Sequence, residues 1–196
     1  MRKINKIQPN NEFSDFVKRE KPSDWNQLEL SVSQITRKYI IEKEQLGLSG
    51  YTERKIDYDS SHVDHFIKRD IDKRLSFSWD NLIVDEKEDR YGARYKDSKI
   101  RKEDYSEIIN PVKERAEDYF YYSQTGMISP KNNLDAQMEE KAKRTIEIFN
   151  LNHKSLVKER RDLIKIISSY KSQFDKNNIL CYLEGFGFTS LKEQEL

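Results

Sequence analysis

The stretch Ser61-His62-Val63-Asp64-His65-Phe66, followed by Phe77-Ser78-Trp79-Asp80-Asn81-Leu82, decides how this chain is read. Two of its three histidines, His62 and His65, stand three residues apart with Asp64 between them. Hydrolysis of a phosphodiester needs a base for water, a divalent cation for the charge on phosphate and leaving group, and oxygen ligands for that cation. Asp64 and His65 offer a ligand and a base side by side, and histidine titrates near working pH. Residue types alone leave two other readings open. The pair could be polar residues at a strand end. It could also belong to a zinc site, for which an H-x-x-H pair with no cysteine and no obvious third ligand is thin support.

Working outward, Tyr51–Ile56 reads as a strand, Asp57–Ser61 as turn chemistry and His62–Ile67 as a second strand. A charged loop follows, and a helix is expected near Tyr91–Lys99. Two strands and a helix form a ββα unit. Before it, a short helix over Asn11–Arg19 carries Phe13, Phe16 and Val17 on one face. A second helix, capped by Ser23 or Asp24, runs to about Gln45 with Trp25, Leu28, Val32, Ile35, Tyr39 and Ile40 as its stripe. After it, Tyr119–Tyr122 and Met127–Ser129 flank Ser123-Gln124-Thr125-Gly126 as a hairpin, and residues 134–149 and 153–173 read as amphipathic helices. The expected class is α+β. A helical segment spans 1–49, the ββα core 50–104, and a hairpin with helices 105–196, all packed as one unit.

Composition narrows the function. Tyr 11, Phe 9 and Trp 2 exclude a disordered chain. Lys+Arg 36 against Asp+Glu 35 gives no basic excess, so any positive charge for nucleic acid must be local or come from a partner. Local candidates are Lys68, Arg69, Lys73 and Arg74, and a second cluster holding Arg94 and Lys96; Asp70 and Asp72 make a solvated loop an equal reading of the first. Phe77 and Trp79 could stack bases or pack behind the site. A lone cysteine, Cys181, excludes an intrachain disulfide and a cysteine zinc ribbon, reads as a buried small apolar residue, and suits a reducing cytoplasm. No apolar run follows Met1-Arg2-Lys3-Ile4, so no signal peptide is expected, and no run approaches the ~20 residues of a membrane span.

The segments Leu48–Ile56, Ser61–Phe66 and Phe77–Leu82 together resemble the HNH nuclease subunit of Septu-type and retron-associated anti-phage systems, a family often called PtuB-like. The likeness extends to Met1–Ile4, Asn110-Pro111, the Tyr119–Pro130 hairpin and Thr145–Asn152, over roughly residues 1–170. It implies a ββα-metal core and an endonuclease that hydrolyses phosphodiester bonds of DNA or RNA as an antiviral defence effector. An ATPase (PtuA-like) partner is implied too, and a retron RNA/DNA complex could join them. On this pattern Asp64 is a metal ligand, His65 the general base, Asn81 the residue that orients the base by a hydrogen bond, and His62 a further ligand or phosphate contact. Mg²⁺ or Mn²⁺ is the implied cofactor, without structural zinc. Many relatives carry Cys-Asn-x-x-Lys on the helix; the matching segment here is Gly92-Ala93-Arg94-Tyr95-Lys96-Asp97, so Ala93 replaces an Asn. Asp97 is the substitute ligand and Asp89 the runner-up. Ser49 and Thr52 stand where relatives have cysteines, so zinc stapling is lost and the flanking helices and hairpin must support the core. Two rival readings remain: an RNase of the same chemistry, acting on tRNA or other RNA, and a catalytically dead HNH adaptor, which Ala93 favours. The apolar segment Ile179–Phe188 is either a docking element for the partner or a cap on the domain's own core.

Overall fold

The computed structural model describes residues 1–196. It is an α+β chain of seven α-helices and two two-stranded antiparallel sheets. No helix is long and apolar enough to cross a membrane.

The sheet that carries the motif pairs β1 (Ser61–His65) with β2 (Leu82–Glu86), and α3 (Gly92–Lys99) follows. All five residues of β2 are buried, because it separates two hydrophobic clusters. Leu82 and Val84 face the smaller cluster, with Phe13, Phe16, Val32 and Ile40, while Ile83 faces the larger. This is the period-2 alternation of a strand with apolar cover on both sides. The expected strand at Tyr51–Ile56 is absent. That segment makes tight turns with a single bridge, Leu48 to Lys55, so His65 lies on the first strand of the unit and its partner comes from Leu82–Glu86. Glu53 explains the failure: its backbone is left-handed, φ 62°, which breaks an extended run.

The smaller cluster is roofed by the N-terminal helices. Helix α1 (Asn11–Glu20) is capped by Asn10, whose side chain accepts the amide of Phe13, and it buries Phe13 and Phe16. The long helix expected from residue 24 to 45 is divided. A 3₁₀ turn over Trp25–Gln27, closed by a capping box from Asp24 and Gln27, precedes α2 (Leu30–Tyr39), which passes into a π-helical turn over Ile40–Glu44. That turn brings Glu44 under β2, where it meets Lys6, the amide of Ile7 and the indole of Trp79.

The larger cluster lies beneath the other face. A hairpin of β3 (Phe120–Tyr122) and β4 (Ile128–Pro130) sits beside α4 (Ala136–Ile148), α5 (Lys154–Lys171), α6 (Lys176–Tyr182) and α7 (Thr189–Glu195). The apolar C-terminal segment belongs largely to this core: Ile179, Leu183, Phe188 and Leu191 are buried in it, whereas Tyr182 and Phe186 are exposed. Cys181 is exposed, contrary to its reading as a core residue, because α6 turns that face outward. The buried carboxylate of Glu53 joins the two ends of the chain. It pairs with the Met1 amino group at 2.8 Å and accepts the amide of Ser190, while its own carbonyl accepts the amide of Phe188.

Candidate active site at the end of strand β1

Strand alternation sends His62 and Asp64 to the face of β1 that meets α3, and Val63 and His65 to the face that meets the N-terminal helices. At the strand end both faces border one cavity of about 200 Å³, lined by His62, Val63, Asp64, His65, Lys68, Arg69, Asp70 and Asp97.

His65 is buried to 7% exposure and stands edge-on to Trp25, with ring centroids 4.6 Å apart. Its Nε2 lies 2.9 Å from the carbonyl of Ser76. A carbonyl can only accept, so Nε2 carries the hydrogen and Nδ1 keeps its lone pair. Nδ1 has no hydrogen-bond partner in the protein. Burial holds the His65 pKa below its usual value, which favours the neutral ring that a general base needs. His62 is likewise lowered by burial, and its Nδ1 is buried with no partner.

Asn81 reaches a different target from the one expected. Its side chain does not meet His65. The Oδ1 atom accepts the amide of Ile67 at 2.8 Å, and Nδ2 donates to the carbonyls of Ile67 at 3.0 Å and Leu75 at 3.2 Å. It closes both ends of the 67–75 loop and delivers the adjacent Ser76 carbonyl to the imidazole. The amide side chain is thus one step removed from the base.

Asp64 is 3% exposed. Its Oδ2 accepts from the Tyr51 hydroxyl and from Lys96 Nζ at 2.8 Å, and Oδ1 has no partner. Asp97 lies one residue beyond Lys96 on α3, and its Oδ1 is buried without a hydrogen bond, although Lys96 Nζ is 3.2 Å away. Burial, reinforced by Asp64, pushes the Asp97 pKa up to about 6. Asp89 is 81% exposed, pairs with Arg94 and does not line the cavity, so the runner-up ligand position is excluded by placement.

Two of the four expected nucleic-acid contacts border the cavity. Arg69 lines it, and Lys68 lines it while its Nζ holds the Asp97 carbonyl at 2.8 Å. Arg94 is exposed, paired with Asp89 and not part of the cavity lining, although its charge reaches His62. Lys96 is a correction: it is 0% exposed and cannot meet a nucleic acid, because its ammonium is spent inside the protein. Phe77 and Trp79 pack against the smaller cluster, with Lys6 over the Trp79 ring, and are not free platforms for bases.

Tyr51, Ser76 and Trp25 were invisible as site residues in the sequence. Tyr51 precedes Asp64 by 13 positions, Ser76 acts through its backbone, and Trp25 arrives from another cluster. No protein-family model matches the chain, and no curated protein matches it.

No three His, Cys, Asp or Glu side chains gather into a group able to hold a metal by themselves. Asp64, whose Oδ1 is unpartnered, and Asp97, whose side chain is 41% exposed, nevertheless line one cavity. That set fits Mg²⁺ or Mn²⁺, which take one or two carboxylates and complete their shells with water and substrate phosphate.

Ser49 and Thr52 sit in a hydrogen-bonded knot. Ser49 Oγ donates to Asp85, accepts the Thr52 amide at 3.0 Å and meets the Thr52 hydroxyl at 2.8 Å. The other oxygen of Asp85 accepts the Ala93 amide at 2.6 Å, at the first turn of α3. Gly92 permits this approach: its φ is 74°, and a Cβ there would stand 2.3 Å from Asp85 Oδ2.

Proposed function

We propose that the chain is a divalent-metal-dependent HNH endonuclease, the effector of a cytoplasmic anti-phage system, working with an ATPase partner. One observation carries this reading. A neutral imidazole with its lone pair on Nδ1 borders the same cavity as the free oxygen of Asp64, at the end of the first strand of a strand–strand–helix unit.

His65 would take the proton of the attacking water at Nδ1, and the Ser76 carbonyl would stabilise the imidazolium through Nε2. Lys68 and Arg69 would neutralise the phosphate at the cavity rim. Asp64 and Asp97 would hold the cation, which supplies charge stabilisation at the phosphate and leaving oxygen. DNA and RNA are both compatible with this chemistry.

The adaptor reading has an observation of its own. Helix α3 presents Ala93, with no ligand atom, and the ammonium of Lys96 already compensates Asp64. The deciding experiment incubates the chain, alone and co-purified with its ATPase, with DNA and with RNA in Mg²⁺, in Mn²⁺ or in chelator. Cleavage that requires the cation and vanishes in folded His65→Ala supports the nuclease. No cleavage of either polymer by the complex selects the adaptor.

A further inference from the structure

Lys96 projects from the second turn of α3 into the fully buried space beneath the end of β1. Four oxygens surround its Nζ: Asp64 Oδ2 at 2.8 Å, the His65 carbonyl at 3.0 Å, the Phe66 carbonyl at 3.1 Å and Asp97 Oδ1 at 3.2 Å. The first three are hydrogen bonds, which uses all three protons of the ammonium. Asp97 adds charge without a proton to share. The rings of Tyr51 and Phe66 flank the group at 5.7 and 5.9 Å. Two carboxylates and two carbonyls are the ligand types of a calcium site and supply four of the roughly six to eight oxygens that ion takes, the rest being left to water. A protein side chain fills it instead.

We propose that Lys96 is a tethered cation. It occupies a cation cage in place of a diffusible ion and pins the Asp64–Phe66 corner of β1 to α3. It is a positioning residue for His65: it grips the carbonyl of His65 and the carboxylate next to it, while the imidazole is held by Ser76 from the other side. The inference does not require nuclease activity, because every atom of the cage belongs to the fold. It also separates two roles for Asp64, with Oδ2 committed to the cage and Oδ1 left to the cavity.

The test empties the cage and offers it a free ion. Lys96→Ala should melt well below wild type, and millimolar Ca²⁺ should return several degrees to the variant beyond any rise in wild type. Titration calorimetry with Ca²⁺ should show one site more in the variant than in wild type. An equal calcium response in both proteins overturns the proposal. If Lys96→Ala does not fold, wild type decides. In ¹⁵N-lysine spectra at neutral pH, one ammonium signal should survive solvent exchange and disappear in Lys96→Arg; no protected signal overturns the proposal. The positioning role is read from His65. Lys96→Arg should leave its imidazole nitrogens averaged between tautomers, and an unchanged Nε2–H signature rejects that role.

Discussion

The carbonyl of Ser76 fixes the tautomer of His65: a 2.9 Å contact to Nε2 leaves Nδ1 as the basic nitrogen. The residue that matters to the imidazole is therefore a main-chain atom, and Asn81 reaches it only by closing the loop on which it sits. Nitrogen-15 spectra of wild type at neutral pH should show His65 with its proton on Nε2. A proton on Nδ1 would show that the base is aimed wrongly.

Replacing His65 tests the proposed chemistry. His65→Ala should lower cleavage about 10²–10⁴-fold with the fold intact, and added metal should not restore it. Asp64→Asn should also lose activity and be only partly rescued by more Mn²⁺, since it weakens cation affinity and also removes the charge opposite buried Lys96. Asp97→Ala should behave like Asp64→Asn, and Asp89→Ala like wild type, because Asp89 is exposed and off the cavity. Equal losses in the two aspartate-to-alanine variants would remove Asp97 from the site.

Asn81→Ala should act through the loop. It removes three hydrogen bonds to main-chain groups, so a destabilisation of about 1–3 kcal/mol is expected. Hydrogen exchange at the Ile67 amide should quicken, and kcat should fall less than in His65→Ala. An unchanged exchange rate would place the role of Asn81 elsewhere.

Asp85 sets a pH dependence. Burial raises its pKa from 3.8 to about 7, so the folded chain holds a proton that the unfolded chain releases. The associated stability is fully present below 3.8 and is lost as pH rises through about 7. Asp85→Asn mimics the protonated form: an amide can still accept from Ala93, and can donate to Ser49 once the Ser49 hydroxyl turns toward the Thr52 hydroxyl. Its Tm should therefore decline less steeply than that of wild type from about pH 4 to about pH 7. Some slope will remain from Asp97, whose pKa of about 6 acts in the same direction. A variant with the wild-type slope would mean that Asp85 is ionised throughout.

Gly92→Ala should destabilise the same knot. The residue has φ 74° and no room toward Asp85 Oδ2, so the loss should exceed the ~0.4–1 kcal/mol that an unstrained Gly→Ala replacement gains. Thermal melts check this, and a neutral result would mean that the start of α3 can shift.

What the sequence disclosed follows from the range of each interaction. The hairpin at Phe120–Pro130, α1, α4 and α5 were legible because caps, turn residues and apolar spacing act within a few positions. Asp64, His65, His62, Lys68, Arg69 and Asp97 were legible as a cluster because they fall within one strand end, its loop and one helix. Tyr51 was not, since its turn depends on a left-handed Glu53 that local propensity disfavours. Lys96 was misassigned because its charge suggests solvent, and only the convergence of α3 with two strand-end carbonyls accounts for its burial. Ser76 contributes an atom that every residue type possesses, so no substitution pattern could mark it.

The last residues of a chain ordinarily fray and exchange their amide hydrogens fastest. Glu53 reverses that order here. The Phe188 and Ser190 amides donate to its carbonyl and carboxylate, and the Met1 amino group closes the same buried junction. These two amides should rank among the slowest to exchange, alongside those of β2. Removal of residues beyond 176 would therefore cost more than a peripheral surface: it would leave a carboxylate buried with its amide donor gone, and the defect would register as loss of global stability before any partner is added.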